Sequence, residues 1–164
     1  MPSEIVTAIF GLTGTMIGGA VTFLTTWVIA RGELTKRKKE RIWELRRDAY
    51  TKIIGSMTQA TRLIEHINEN YQSDPHGYDS SDDVKQASTE FSDSFKDARA
   101  VFTSNTLLLS SLFSEKFETI HNNVSNVEED PNLTPPETTD KIWLAMSSGC
   151  RELLEIAKAE IVAD

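Results

Sequence analysis

The sequence predicts an all-α protein, an N-terminal transmembrane helix continuing into the first, long helix of an antiparallel four-helix bundle. Three observations carry this. Between Glu4 and Arg31 lie 26 residues without a charge, sixteen of them apolar, six Thr and four Gly. Four later stretches repeat apolar residues at steps of three and four, and none alternates as a strand would. Breaks rich in turn-forming residues near 73–83, 103–110 and 128–139 divide those stretches. The organisation that follows is a short N-terminus and span over 1–30, a basic juxtamembrane stalk over 31–41 and a bundle over 42–164.

A helix over residues 5–30 is about 39 Å long at 1.5 Å per residue, against about 30 Å of hydrocarbon. That length crosses a bilayer with some tilt, and Trp27 near its far end suits the interface. A cleaved signal peptide fits less well, because Met1-Pro2-Ser3-Glu4 carries no basic side chain and the apolar core is too long. Thr7, Gly11, Gly14, Gly18, Thr22 and Thr25 follow steps of three and four, which sets them on one face. Small residues on one face let two backbones approach closely, so this face is the candidate for self-association of the span.

Charge sets the orientation. Arg31 to Arg47 contains eight basic and three acidic residues, whereas Asp48 to the end contains nine basic and 21 acidic. Lys and Arg are retained on the cytoplasmic side, so the expectation is an inner-membrane protein, single-pass, with the N-terminus outside and the bundle in the cytoplasm. Arg31, Lys36, Arg37, Lys38, Lys39 and Arg41 form the topology cluster, and they suit contact with anionic lipid. The acidic remainder repels phosphate, which argues against nucleic acid as a partner.

The first bundle helix carries the stripe Ile42, Leu45, Ala49, Ile53, Met57, Ala60, Ile64, Ile67 and Tyr71, widened by Trp43, Tyr50 and Ile54. The second carries Val84, Ala87, Phe91, Phe95, Ala98 and Phe102. Residues 103–106 interrupt that pattern and Leu107, Leu108 and Leu109 make a short apolar run. Ser110 or Ser111 is then positioned to cap a third helix bearing Phe113, Phe117, Ile120, Val124 and Val127. Thr134-Pro-Pro-Glu137 has capping-box spacing, so the last helix starts there or at Thr139. Its stripe is Ile142, Met146, Gly149, Leu153, Ile156 and Glu160.

Little in the sequence points to chemistry. The one cysteine, Cys150, excludes an intrachain disulfide. His66, His76 and His121 lack metal-ligand spacing, although Glu65-His66 and His121 could meet if helices one and three pack together. Glu118-Thr-Ile-His121 is a single copy of a motif that di-metal bundles carry twice. No phosphate loop or nucleophile triad is legible. The expectation is therefore a protein that is not an enzyme, with no cofactor and no metal.

Gly11–Gly19, the basic run Arg31–Arg47 with Tyr50, and the segment Ala98–Phe117 together resemble, in layout, a diffuse class of bacterial single-pass membrane proteins with a small cytoplasmic helical bundle. The resemblance covers the whole chain, contains no diagnostic motif and implies no activity. With the lipid bilayer as its first partner, such a chain is expected to self-associate and to present its bundle to a cytoplasmic protein. The competing reading is a membrane-active, holin-like effector whose copies assemble through the Gly/Thr face.

Overall fold

The third and fourth helices start where the sequence supplies caps. A computed structural model describes the backbone of residues 2–73 and 82–163, and the side chains within 36–73 and 82–162. Its helices are α1 (Pro2–Ser73), α2 (Asp82–Asn105), α3 (Ser111–Glu128) and α4 (Pro135–Ala163), with no strand among the described residues. The protein is all-α. The chain divides into two compact units, Met1–Ile42 and Trp43–Asp164, and the bundle is the second.

Among the described residues no helix is long and apolar enough to cross a membrane. The uncharged stretch 5–30 belongs to the backbone of α1, but its side chains lie outside the described residues. The same holds for the face Thr7, Gly11, Gly14, Gly18, Thr22 and Thr25, and for Arg31.

Two alternatives left open by the sequence are decided by capping bonds. Ser110, not Ser111, caps α3, its Oγ accepting from Phe113 N at 3.1 Å. Thr134, not Thr139, caps α4. Glu137 Oε2 accepts from Thr134 N at 2.9 Å and from Thr134 Oγ1 at 2.8 Å, and Pro135 takes the first helical position, where no N–H is needed. Those bonds hold the Glu137 carboxyl below its ordinary value. Thr139 is instead buried one turn later and donates to Pro135 O at 2.9 Å. The second helix also runs further than its stripe, through Asn105, whose amide donates to Val101 O at 2.8 Å.

Cross-helix contacts define the topology. Tyr50 meets Glu160, Thr61 Oγ1 lies 3.3 Å from Cys150 Sγ, and Asn68 Nδ2 donates to Asp140 at 3.4 Å. Numbers rise along α1 as they fall along α4, so the two are antiparallel. Phe95 beside His121, Arg99 beside Glu118 and Phe102 against Phe117 make α2 antiparallel to α3. Lys116 with Glu152 and Ile120 against Gly149 do the same for α3 and α4. The arrangement is an up-down-up-down bundle.

Its core is drawn mostly from the predicted stripes, with Leu109 added and Val127 and Ile156 only partly buried. Ile53, Met57, Ala60, Phe113, Val124, Met146 and Leu153 are wholly buried. Two stacked or tilted pairs, Phe102–Phe117 at 4.3 Å and Tyr50–Phe113 at 4.5 Å, fill its centre with aromatic area. Ile42 and Leu45 depart from expectation. They continue the core stripe of α1, yet each is about half exposed, at 49% and 47%. Leu45 lies just before Arg46 and Tyr50, which hold the α2–α3 turn and the end of α4 against α1.

Two glycines behave oppositely. A Cβ on Gly149 would lie 2.5 Å from both Cγ1 and Cδ1 of Ile120, so the glycine is what allows α3 and α4 to approach. A Cβ on Gly55 would meet nothing within 4 Å. Gly55→Ala is expected to stabilise the bundle by about 0.5–1 kcal/mol through helix propensity alone. Gly149→Ala gains the same term, but overpacking against the buried Ile120 costs about 1–3 kcal/mol. The clash wins, and Gly149→Ala lowers the midpoint of urea unfolding while Gly55→Ala raises it. Equal shifts of one sign would show that the α3–α4 approach is not tight.

Candidate functional site: the leucine-bearing end of the bundle

One end of the bundle is built around a residue that the sequence placed on an apolar face without a reason. Glu160 of α4 accepts from the hydroxyls of Tyr50 on α1 and Ser110 at the start of α3. Ser110 N in turn donates to Tyr50 Oη at 3.2 Å. Three chain segments are thus tied by one carboxylate, and Tyr50 is only 1% exposed. Burial first, and then the bond to Glu160, push the Tyr50 phenol above its ordinary value. Arg46 Nε donates to Leu108 O at 2.9 Å, which holds the α2–α3 turn against α1.

This scaffolding fixes the three leucines of the turn in different surroundings. Leu109 faces the core at 9% exposure, Leu108 is half-buried, and Leu107 is fully exposed at 101%. Leu112, in the first turn of α3, is 58% exposed, Leu45 lies half exposed on α1, and Val162 near the end of α4 is 86% exposed. A single exposed leucine is ordinary. Here the described large apolar side chains that remain exposed in Trp43–Asp164 are Leu45, Leu107, Leu112, Leu144, Leu154 and Val162, and four of the six gather at this end. Burying Leu107 or Leu112 in an apolar phase would be worth roughly 1.5–3 kcal/mol each, which the isolated bundle forgoes.

Charge divides along the same axis. The cross-helix pairs set a mid-level, with residues 43–56, 102–116 and 152–162 on the leucine side and 57–73, 82–101 and 117–151 on the other. The leucine half has five basic and six acidic residues, and the opposite half has six basic and thirteen acidic. Net charges of −1 and −7 result. Arg47 sits on the rim of the leucine end, 5.0 Å over the Trp43 ring.

The sequence-predicted site residues that are described do not come together as a pocket. Lys36, Arg37, Lys38, Lys39 and Arg41 are all exposed along α1. His66 interacts within its own helix, with Asn70. Glu118 is used by Arg99 at 2.6 Å, and His121 rests against the Phe95 ring at 5.2 Å. Among the described residues no group of three or more His, Cys, Asp or Glu is placed to hold a metal.

A groove of about 500 Å³ lies between α2 and α3, lined by Phe95, Lys96, Arg99, Thr103 and His121 among others. Its polar groups are largely spent. Arg99 is neutralised by Glu118, and Thr103 Oγ1 donates to Arg99 O at 2.9 Å. His121 Nδ1 is buried without a hydrogen-bond partner. Burial and then the Arg99 charge lower its pKa from the ordinary 6.5, with Glu118 opposing, so the ring is neutral at pH 7. Cys150 is half-buried, and burial pushes its thiol up despite the Thr61 bond. A raised thiol is a poor nucleophile at neutral pH.

The leucine end was not singled out by sequence reasoning. The available signal was Leu107-Leu108-Leu109 itself, three large apolar residues in a break where turn chemistry is expected. Comparison with protein-family models, with curated proteins and with solved structures gives no match.

Proposed function

We propose that this chain is a non-enzymatic, membrane-anchored interaction protein. Residues 5–30 form the single span, the N-terminus lies outside, and the bundle stands in the cytoplasm and meets a protein partner there. The observation that carries the reading is the junction of 26 uncharged residues with the exposed cluster Lys36, Arg37, Lys38, Lys39 and Arg41. An apolar stretch of that length is stable in hydrocarbon, and adjoining Lys and Arg resist translocation. The face Thr7, Gly11, Gly14, Gly18, Thr22 and Thr25 would pair copies of the span. The packed bundle, with its polar groups engaged across helices, supports a binding surface better than it supports a reaction centre.

Topology is the test. Cys150 is replaced by Ser, and a single Cys is placed at Pro131, an exposed position in the α3–α4 loop that leaves the Thr134–Glu137 cap intact. Intact cells are treated with a membrane-impermeant maleimide, and membranes are washed in carbonate. The expected result is retention in the washed membrane and labelling only after permeabilisation. Release by carbonate would remove the span, and labelling of intact cells would reverse the orientation. Collapse of the membrane potential on overexpression would favour the holin-like reading instead.

A further inference from the structure

We propose that the leucine-bearing end of the bundle, led by Leu107 and Leu112, docks on a lipid bilayer surface as a second membrane contact. This rests on the membrane anchorage proposed above, and three observations favour lipid as the occupant. Apolar exposure is concentrated at this end, where Leu107 is held fully exposed by a turn that Arg46, Tyr50 and Ser110 fix in place. The opposite half carries the net charge of −7 against −1 here, so an anionic surface repels that half and favours the leucine end. Twelve residues of chain separate Ala30 from Trp43, a reach of no more than about 45 Å even when fully extended. A connection that short turns a weak apolar contact into an intramolecular one.

Part of the backbone of this turn is already hydrogen-bonded within the protein. Leu108 O already accepts from Arg46, Ser110 N donates to Tyr50, and Leu108 N donates to Asn105 O at 2.8 Å. That satisfaction matters because lipid offers no replacement hydrogen bonds.

The experiment uses the full chain, with Cys150 replaced by Ser, reconstituted in vesicles of phosphatidylcholine and phosphatidylglycerol. A nitrobenzoxadiazole probe is attached at Leu107→Cys, and in a second protein at Pro131→Cys in the opposite half. Because Leu107 touches no core residue, its replacement leaves the fold in place, which circular dichroism checks. The expected result is a blue-shifted, several-fold brighter emission at position 107 that lipid-borne quenchers suppress, with a water-like probe at 131. Leu112→Ser should return the signal at 107 toward the water-like value. A water-like probe at 107 on a chain that still floats with the vesicles would overturn the docking and keep the anchor. An apolar signal that disappears when the protein is diluted into excess lipid would identify a second copy as the occupant and also overturn it. Failure to float would remove the anchor itself.

Discussion

Phe117→Ala is expected to destabilise the bundle by about 3–5 kcal/mol, which lowers the unfolding midpoint of the full chain by roughly 10–20 °C. The side chain is 1% exposed and stacks on Phe102 with ring centroids 4.3 Å apart and planes 16° from parallel. Removing it deletes the transfer free energy of a phenyl ring and leaves a cavity between α2 and α3. Both helices are held by several other contacts, including Arg99–Glu118 at 2.6 Å, so the void does not close by simple collapse. Typical domains are stable by only about 5–15 kcal/mol, so the loss is a large fraction of the total. Leu112→Ala is the matching control. At 58% exposure it should stay within about 0.5 kcal/mol of the parent. Tryptophan fluorescence follows both, since Trp143 is half-buried in α4. A shift of equal size in the two variants would mean that the packing around Phe117 is not as described.

The second large effect belongs to Glu160. Its removal as Glu160→Ala takes the acceptor from two hydroxyls at once, Tyr50 and Ser110, in a partly buried setting. Bonds to a charged group are worth about 1.5–3 kcal/mol each, but partial exposure lets water recover some of that, so about 2–3 kcal/mol in total is expected. Glu160→Gln keeps an acceptor and should cost less than half as much. The same network predicts alkaline behaviour. The Tyr50 phenol is held above its ordinary value of 10.0, mainly by burial, so the folded state keeps its proton where the unfolded chain releases it. The stability this represents is whole below pH 10 and is lost as pH rises through the folded value. Tyr50→Phe should flatten the stability curve above pH 10 while lowering it at neutral pH. An unchanged alkaline slope in that variant would assign the titration to other tyrosines or lysines.

Helical periodicity was sufficient to read most of the bundle. The stripes from Ala49 to Tyr71, from Ala87 to Phe102, from Phe113 to Val124 and from Ile142 to Leu153 are the buried core, because a 3.6-residue repeat brings one side of each helix to the same partner surface. Chain direction followed from the short connections. Capping was legible only as a choice between neighbours, Ser110 or Ser111 and Thr134 or Thr139. A cap depends on which residue takes extended backbone angles, as Ser110 does at φ −73° and ψ 159°.

What the sequence by itself determined is the helical class, the apolar face of each helix, the uncharged stretch and the basic cluster beside it. Those are properties of composition and local periodicity, present before any long-range contact forms. Only the tertiary structure decided why Gly149 is a glycine, why Glu160 lies on an apolar face, and which leucine of Leu107-Leu108-Leu109 meets water. Each answer depends on residues far away in sequence, Ile120 for the first, Tyr50 and Ser110 for the second, and Arg46 for the third. Period and composition describe a helix one face at a time. Partners on other helices have identities that no local pattern encodes.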